Sequence, residues 1–194
     1  MVLPDRLRLP LAFDPAPLAR DLERASAHGW TKHFVRENYE GDWSVIALRA
    51  VAGVKRPSQM IYSNPTATNF ENTPMIEGCP CFHAVMESFA CPIRTMRLMR
   101  LTPGSLINEH SDPDLSFEDG TVRIHIPIST NPDVDFRLNG TRTILEPGSA
   151  WYLRLSDPHS VANRGTTDRV HLVIDMSVNA WLANLFEQAV FTPA

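Results

Sequence analysis

Three side chains that can ligate a metal ion stand in a suggestive order in the second half of the chain. His110 and Asp112 are separated by one residue, and His159 follows after about four predicted strands. On an extended chain successive side chains alternate, so His110 and Asp112 point to the same side. Two imidazoles and one carboxylate form the facial triad that holds non-haem Fe(II) and leaves coordination positions open. The spacing therefore predicts a metal site at these three residues.

A His-x-Asp pair alone is a weak signal, because a surface loop with a solvated histidine and aspartate has the same pattern. The interpretation as a site gains from Arg169, which lies shortly after His159 in a strongly β-patterned run. Alternation puts Arg169, His171 and Val173 on one face of that strand. A buried arginine is costly unless an anion meets it. A dicarboxylate cosubstrate would supply that anion.

The 194-residue length predicts one domain with a substantial core. The net charge of −4 disfavours nucleic acid as a partner. No run of 18 or more apolar residues is present, so we expect no membrane span. Sixteen of the 18 basic residues are arginine, since the only lysines are Lys32 and Lys55. Arginine binds carboxylates bidentately, although this bias can also reflect genome composition.

The chain has three cysteines, which lie close together at Cys79, Cys81 and Cys91. Their number and spacing match neither a disulfide framework nor a zinc motif, so we predict reduced thiols. The amino terminus lacks the apolar core of a secretory signal. A cytoplasmic protein is therefore expected, and a homodimer is one assembly that the sequence allows.

The patterns of apolar residues and turn signals predict a mainly β protein with flanking helices. Predicted helices span 14–28, 83–90 and 179–190, a strand spans 43–52, and a long loop covers 55–80. Short strands then follow at 93–101, 121–129, 134–139, 141–145, 150–155 and 169–178. This series predicts a cupin-like jelly roll over 92–177. A helical and loop buttress with edge strands (1–91) and a carboxyl-terminal helix (178–194) complete one domain, 1–194.

Several stretches resemble the aspartyl/asparaginyl β-hydroxylase-like group of Fe(II)- and 2-oxoglutarate-dependent dioxygenases. They are LTPGSLINEHSD, FEDGTVRIHIPI, LEPGSAWYLRLSDPHSVANRG and TDRVHLVIDM, together with LPLAFDP and YEGDW nearer the amino terminus. The chain is also similar in size and plan to bacterial free-proline hydroxylases. The group's fold, a double-stranded β-helix, agrees with the jelly roll predicted above.

The resemblance implies a role for each matching residue. It implies that His110, Asp112 and His159 bind iron. It implies that Arg169 holds the distal carboxylate of 2-oxoglutarate, that His125 contacts its other end, and that Arg123 holds a substrate carboxylate. Arg97 is a further candidate for a substrate clamp. The vertebrate enzymes place a cosubstrate-binding serine where this chain has Met99, so that contact must be replaced or absent.

We therefore expect a hydroxylase that uses Fe(II), 2-oxoglutarate and O2, and releases succinate and CO2. An arginine for a substrate carboxylate favours an amino acid, free or in a peptide, of Asp, Asn or Pro type. One alternative is a cupin-like metal-dependent isomerase, lyase or small-molecule binding protein, because jelly rolls host all of these. Another is a non-catalytic interaction domain. His125 and His171 also fit hydrogen-bonded core positions, and His171 is predicted to be structural.

Overall fold

Two antiparallel β-sheets face each other in a computed structural model that describes residues 3–62, 64 and 66–191. Four α-helices flank the sheets within these residues. This arrangement confirms the mainly β jelly roll. Of the predicted single domain, residues 1, 2, 63, 65 and 192–194 lie outside the described residues.

The larger sheet has eight strands, and most of its length is buried. Its strands follow the order β1–β11–β8–β13–β6–β4–β2, and β5 pairs with β4. Their bounds are β1 Arg6–Ala12, β2 Thr31–Lys32, β4 Trp43–Val51, β5 Phe70–Asn72, β6 Ile93–Leu101, β8 Thr121–Ser129, β11 Ser149–Leu153 and β13 Arg169–Ser177.

The smaller sheet has five strands in the order β10–β9–β12–β7–β3. Their bounds are β3 Tyr39–Glu40, β7 Leu106–His110, β9 Val134–Leu138, β10 Thr141–Arg142 and β12 His159–Asn163. The helices are α1 Pro15–Ser26, α2 Pro57–Met60, α3 Pro80–Glu87 and α4 Ala180–Phe191. None of the helices in the described part of the chain is long and apolar enough to cross a membrane.

Side-chain alternation divides the large sheet into two faces. On β13, Val170, Leu172 and Ile174 join a core cluster that also includes residues of α1, α3 and α4. The other face of β13 carries the odd-numbered residues, and β6 and β8 repeat this alternation. The face away from the helices therefore carries the polar side chains into the space between the sheets.

The long strands lie where the apolar pattern predicts them, since β6 and β8 have the predicted bounds. Helix α3 begins three residues earlier than predicted, because Pro80 occupies its first turn. The predicted strand 141–145 is paired only at Thr141–Arg142. Strand β1 was not predicted, and β4 lies inside the large sheet, between β6 and β2. The amino-terminal half thus supplies sheet strands as well as a buttress.

A tight turn before β4 positions its first residue, Trp43. Gly41 has φ +80°, and a Cβ placed there would lie 2.3 Å from the Ser105 Oγ. The Asp42 backbone N–H donates to that same oxygen at 2.9 Å. The turn therefore requires glycine both for its conformation and for the close approach to Ser105.

Candidate active site

His110, Asp112 and His159 come together between the sheets, as the spacing predicts. His110 ends β7 and His159 begins β12, and the two residues are direct partners in the antiparallel register. Their ring centroids lie 4.3 Å apart, and His110 Nε2 lies 3.8 Å from Asp112 Oδ1. One potential ligand atom from each of the three residues lies within 4.8 Å of the others. This geometry can hold one metal ion on three protein ligands.

Backbone carbonyls fix the tautomers of both imidazoles. His110 Nδ1 lies 2.8 Å from the Asn108 carbonyl oxygen, and His159 Nδ1 lies 3.0 Å from that of Asp157. A carbonyl only accepts, so each Nδ1 carries the proton and each Nε2 keeps a lone pair. Burial lowers the pKa of His159 to about 4. Both rings are thus oriented, and His159 is neutral and ready to ligate at neutral pH.

Arg123 holds the carboxylate of the triad. Its Nη1 donates to Asp112 Oδ2 at 2.6 Å, and its Nε and Nη2 donate to the two oxygens of Asp175 at 2.6 and 3.0 Å. Arg97 Nη2 also donates to Asp175 Oδ2 and, at 2.9 Å, to Thr95 Oγ1. Asp175 therefore joins the two arginines predicted to bind substrate.

Sequence reasoning missed Asp175. The signal was present, because Asp175 continues the alternation of Arg169, His171 and Val173 by one more step. Burial alone would raise its pKa, but the guanidinium groups of Arg123 and Arg97 hold the pKa of Asp175 well below its ordinary value. Asp175 is therefore an anion shared by two buried cations, and Asp112 supplies the second negative charge beside Arg123.

Two cavities meet at the triad. The larger, of about 340 Å³, is lined by Arg97, Arg123 and Asp175 among others. The narrow second cavity runs past His125 and His159 to Arg169. Both cavities are lined by Trp43, Met99, His110, Asp112 and Arg123. The triad residues His110 and Asp112 therefore border both cavities.

An arginine without an acidic partner lies in the second cavity. Arg169 is 2% exposed, and its Nε has no hydrogen-bond partner among the described residues. Its Nη2 donates to His171 Nδ1 at 2.8 Å. Burial lowers the pKa of Arg169, but a guanidinium stays protonated near neutral pH. The cavity therefore offers an uncompensated cation, which suits one carboxylate of a small dicarboxylate.

His125 lies in the same cavity. Its Nδ1 is 3.3 Å from His171 Nδ1, and its buried Nε2 has no partner among the described residues. Burial and nearby Arg169 lower its pKa well below the ordinary value. A buried nitrogen without a partner calls for an explanation, of which a catalytic role or a bound group is one. His125 and Arg169 together fit a polar cosubstrate beside the metal.

An aromatic layer lies at the larger cavity and was not predicted. His33 stacks on Trp43 with ring centroids 3.6 Å apart, and Phe34 packs against Tyr62 at 4.3 Å. His33 and Phe34 line the cavity, while Phe34 and Tyr62 are partly exposed. Trp43 ends the YEGDW stretch, whereas His33, Phe34 and Tyr62 lie in irregular segments without a motif or a periodic pattern.

Two sheets around a His-x-Asp…His triad define a jelly-roll protein with a candidate site for one metal ion. The family model described as aspartyl/asparaginyl beta-hydroxylase matches residues 18–178, and the chain belongs to this family. The predicted resemblance is thereby confirmed.

One curated relative is the L-proline cis-4-hydroxylase of Rhizobium meliloti (strain 1021), which is 27% identical over 171 residues. The match covers 87% of this chain but only 59% of the relative's length. Among solved structures, a 2OG-Fe(II) oxygenase family oxidoreductase from Burkholderia pseudomallei has a TM-score of 0.55 at 17% identity, covering 89% of this chain and 85% of its own. A Pseudomonas putida prolyl-4-hydroxylase has a TM-score of 0.53 at 13% identity, covering 91% and 94%. These two likenesses support the fold.

Proposed function

We propose that this protein is an Fe(II)- and 2-oxoglutarate-dependent dioxygenase. It hydroxylates an unactivated C–H of an amino acid, free or in a peptide, with release of succinate and CO2. The observation that carries the proposal is a facial triad between two cavities, one of which contains the unpaired cation Arg169. Family membership and the proline hydroxylase relative support the same activity.

The residues fit the iron and the cosubstrate. His110, Asp112 and His159 would hold Fe(II), and Arg169 would hold the distal carboxylate of 2-oxoglutarate, with His125 near its other end. When bound, iron and cosubstrate together activate O2 for C–H hydroxylation. The chain itself orients the metal ligands through backbone carbonyls and Arg123, and lines the second cavity with the buried apolar side chains of Met99, Phe136 and Val161.

The larger cavity is the proposed substrate site. Its volume of about 340 Å³ lies at the lower end of small-molecule pockets. Arg97 and Arg123 line it, and the buried Nε of Arg97 has no hydrogen-bond partner among the described residues. Both guanidinium groups keep N–H groups beyond those that Asp175 and Asp112 occupy. They can therefore take a substrate carboxylate, which favours an amino acid of Asp, Asn or Pro type.

A cupin-like isomerase, lyase or binding protein would share the fold and the metal triad. Such a protein has no general need for a buried, unpaired arginine in the second cavity. Anaerobic titration of the protein with Fe(II) and then 2-oxoglutarate distinguishes these functions. We expect a visible charge-transfer band on addition of 2-oxoglutarate. Iron binding without the band would favour the cupin function, and absence of iron binding would favour an interaction domain.

The direct test is an assay with purified protein, Fe(II), 2-oxoglutarate, O2 and a panel of L-proline, L-asparagine, L-aspartate and short peptides containing them. We expect succinate formation coupled to a substrate product that has gained one oxygen atom. His110→Ala should abolish both products. The matched control is His28→Ala, because His28 is exposed and lines neither cavity.

A specific result would contradict the proposal. Succinate at background level with every amino acid, and equal values for wild type and His110→Ala, would exclude the proposed activity.

We further propose a cytoplasmic location, consistent with three free cysteines, and no nucleic-acid or membrane partner. Homodimer formation is tested by sedimentation of the purified protein.

A further inference from the structure

His171 is a buried histidine that makes its hydrogen bonds inside the site. It follows Arg169 by two residues on β13, so both side chains lie on the same face of the large sheet. Its Nδ1 lies 2.8 Å from Arg169 Nη2 and 3.3 Å from His125 Nδ1. The residue is only 2% exposed. The sequence predicts a structural residue here, but these contacts connect His171 to the cosubstrate cavity.

The donors and acceptors determine the tautomers of this chain of side chains. A guanidinium can only donate, so His171 Nδ1 accepts, and the neutral ring carries its proton on Nε2. A hydrogen bond between the two Nδ1 atoms then requires His125 Nδ1 as the donor, which shares the single lone pair of His171 Nδ1 with Arg169. The remaining His125 nitrogen, Nε2, then carries the lone pair. The orientation of Arg169 and the tautomers of both histidines are therefore coupled through these contacts.

Among the described residues, no side chain next to His171 can replace its hydrogen bond with Arg169. On the adjacent strands its register partners are Met99 of β6 and Pro127 of β8, whose side chains provide no strong hydrogen bond. Arg169 also lies 5.9 Å from the Phe136 ring centroid, which orients it only loosely. Within the described part of the chain, no carboxylate pairs with Arg169. Its orientation therefore depends on His171.

We infer that His171 is a positioning residue that orients Arg169 for the distal carboxylate of the cosubstrate. A carboxylate in its place would also fix the guanidinium, but it would neutralise the positive charge that the cosubstrate needs. A neutral imidazole fixes the group by accepting one guanidinium N–H at its unprotonated Nδ1, and it leaves the charge intact. The inference rests on the proposed role of Arg169 in binding 2-oxoglutarate.

The test compares His171→Asn with His171→Leu. Asparagine places Oδ1 near the position of the imidazole Nδ1 and still accepts a hydrogen bond, whereas leucine keeps the volume and removes the acceptor. We expect His171→Leu to raise the KM for 2-oxoglutarate roughly tenfold with kcat little changed at saturation. His171→Asn should stay within about threefold of wild type. Anaerobic titration with 2-oxoglutarate measures the same difference in binding without turnover.

Several outcomes would overturn the inference. A folded, metal-binding His171→Leu with the wild-type KM for 2-oxoglutarate would do so, as would equal losses in the two variants. Arg169→Met is the reference. If Arg169→Met also leaves the KM unchanged, the proposed role of Arg169 fails as well.

A measurement on the wild type does not depend on the folding of any variant. Imidazole ¹⁵N chemical shifts of the metal-free protein report which ring nitrogen is protonated. We expect an unprotonated Nδ1 for His171 and a protonated Nδ1 for His125. A protonated Nδ1 on His171 would contradict the inference.

Discussion

Arg123 Nη1 donates a hydrogen bond to Asp112 Oδ2 at 2.6 Å, and this contact connects the two halves of the site. Asp112 follows the last strand residue of β7 in the small sheet, whereas Arg123 lies on β8 in the large sheet. Asp175 holds Arg123 from the other side. A ligand carboxylate oriented by such a network binds metal with less loss of conformational freedom.

Asp175→Asn should weaken metal binding although Asp175 touches no predicted metal ligand. The substitution leaves the buried Arg97 without an anion and leaves Arg123 with Asp112 alone, released from its bidentate partner. We expect the affinity for Fe(II) or Co(II) to fall about 10- to 100-fold, and the free energy of unfolding to fall by about 3–5 kcal/mol. Metal titration and urea unfolding measure the two effects.

The matched control is Asp135→Asn. Asp135 also pairs with arginines, Arg137 and Arg164, but both of these are largely exposed. Exposed pairs contribute at most about 1 kcal/mol, so this variant should lose little stability and no metal affinity. Unchanged metal affinity in Asp175→Asn would show that Arg123 orients Asp112 without help.

Arg169→Met should make the ligand-free protein more stable and the enzyme less active. Methionine keeps much of the apolar stem and removes a buried charge that has no anionic partner among the described residues. We expect the free energy of unfolding to rise by about 1–3 kcal/mol, together with a large increase in the KM for 2-oxoglutarate. Urea unfolding of metal-free protein and steady-state kinetics provide the measurements.

Arg97→Met provides the comparison, because Arg97 is equally buried but paired with Asp175. It should destabilise the protein, since it leaves part of the charge on Asp175 uncompensated. If both arginine variants change the free energy of unfolding in the same direction, the lack of an anionic partner at Arg169 does not determine the stability effect.

Acidification should destabilise the metal-free protein partly through His171. Burial and the adjacent Arg169 lower the pKa of His171 well below its ordinary value. The unfolded chain therefore takes up a proton near pH 6.5 that the folded chain refuses. The contribution of His171 to the free energy of unfolding is fully present above pH 6.5. It is lost as the pH falls below that value, at about 1.4 kcal/mol per pH unit.

His171→Asn removes this titration. Between pH 6 and pH 5 its free energy of unfolding should fall less than that of wild type. The difference should be about 1.4 kcal/mol, which corresponds to the uptake of one proton. Urea unfolding at several pH values gives both slopes. Equal slopes would mean that His171 is already protonated in the folded protein.

Gly41→Ala should cost more stability than Gly53→Ala, although the two glycines have nearly the same φ, +80° and +81°. An added Cβ at Gly41 would lie 2.3 Å from Ser105 Oγ, whereas nothing lies within 4 Å at Gly53. We expect about 1–3 kcal/mol of additional destabilisation at Gly41. Urea unfolding of both variants measures it, and equal losses would show that the Ser105 contact relaxes freely.

Much of the metal site could be predicted because its information is local. His110 and Asp112 share one extended segment, and β13 shows a regular alternation that places Arg169 inward. The pairing of His159 with His110 needs the topology, but the number of intervening strands already suggests a return to the same edge. Pattern and fold agree here because burial requires one face of every strand to be apolar.

The partners of the arginines could not be predicted in the same way. Arg123 and Arg97 lie on different strands, and only their register against β13 brings both to Asp175. Likewise, the stacking of His33 on Trp43 depends on how an irregular loop packs. Such contacts depend on tertiary packing across the fold, which leaves no periodic trace in the sequence.

The small sheet carries His110 and His159, and the large sheet carries Arg97, Arg123 and Arg169. Under the proposed function, the metal-binding histidines and the arginines for organic acids would therefore lie on different sheets, and Arg123 connects the two sets through Asp112. Substitutions on β6 and β8 that avoid Arg123 and His125 would change which molecule is accepted and leave the proposed metal ligands in place. For enzyme engineering, a library confined to those two strands is the natural starting point for new substrate ranges.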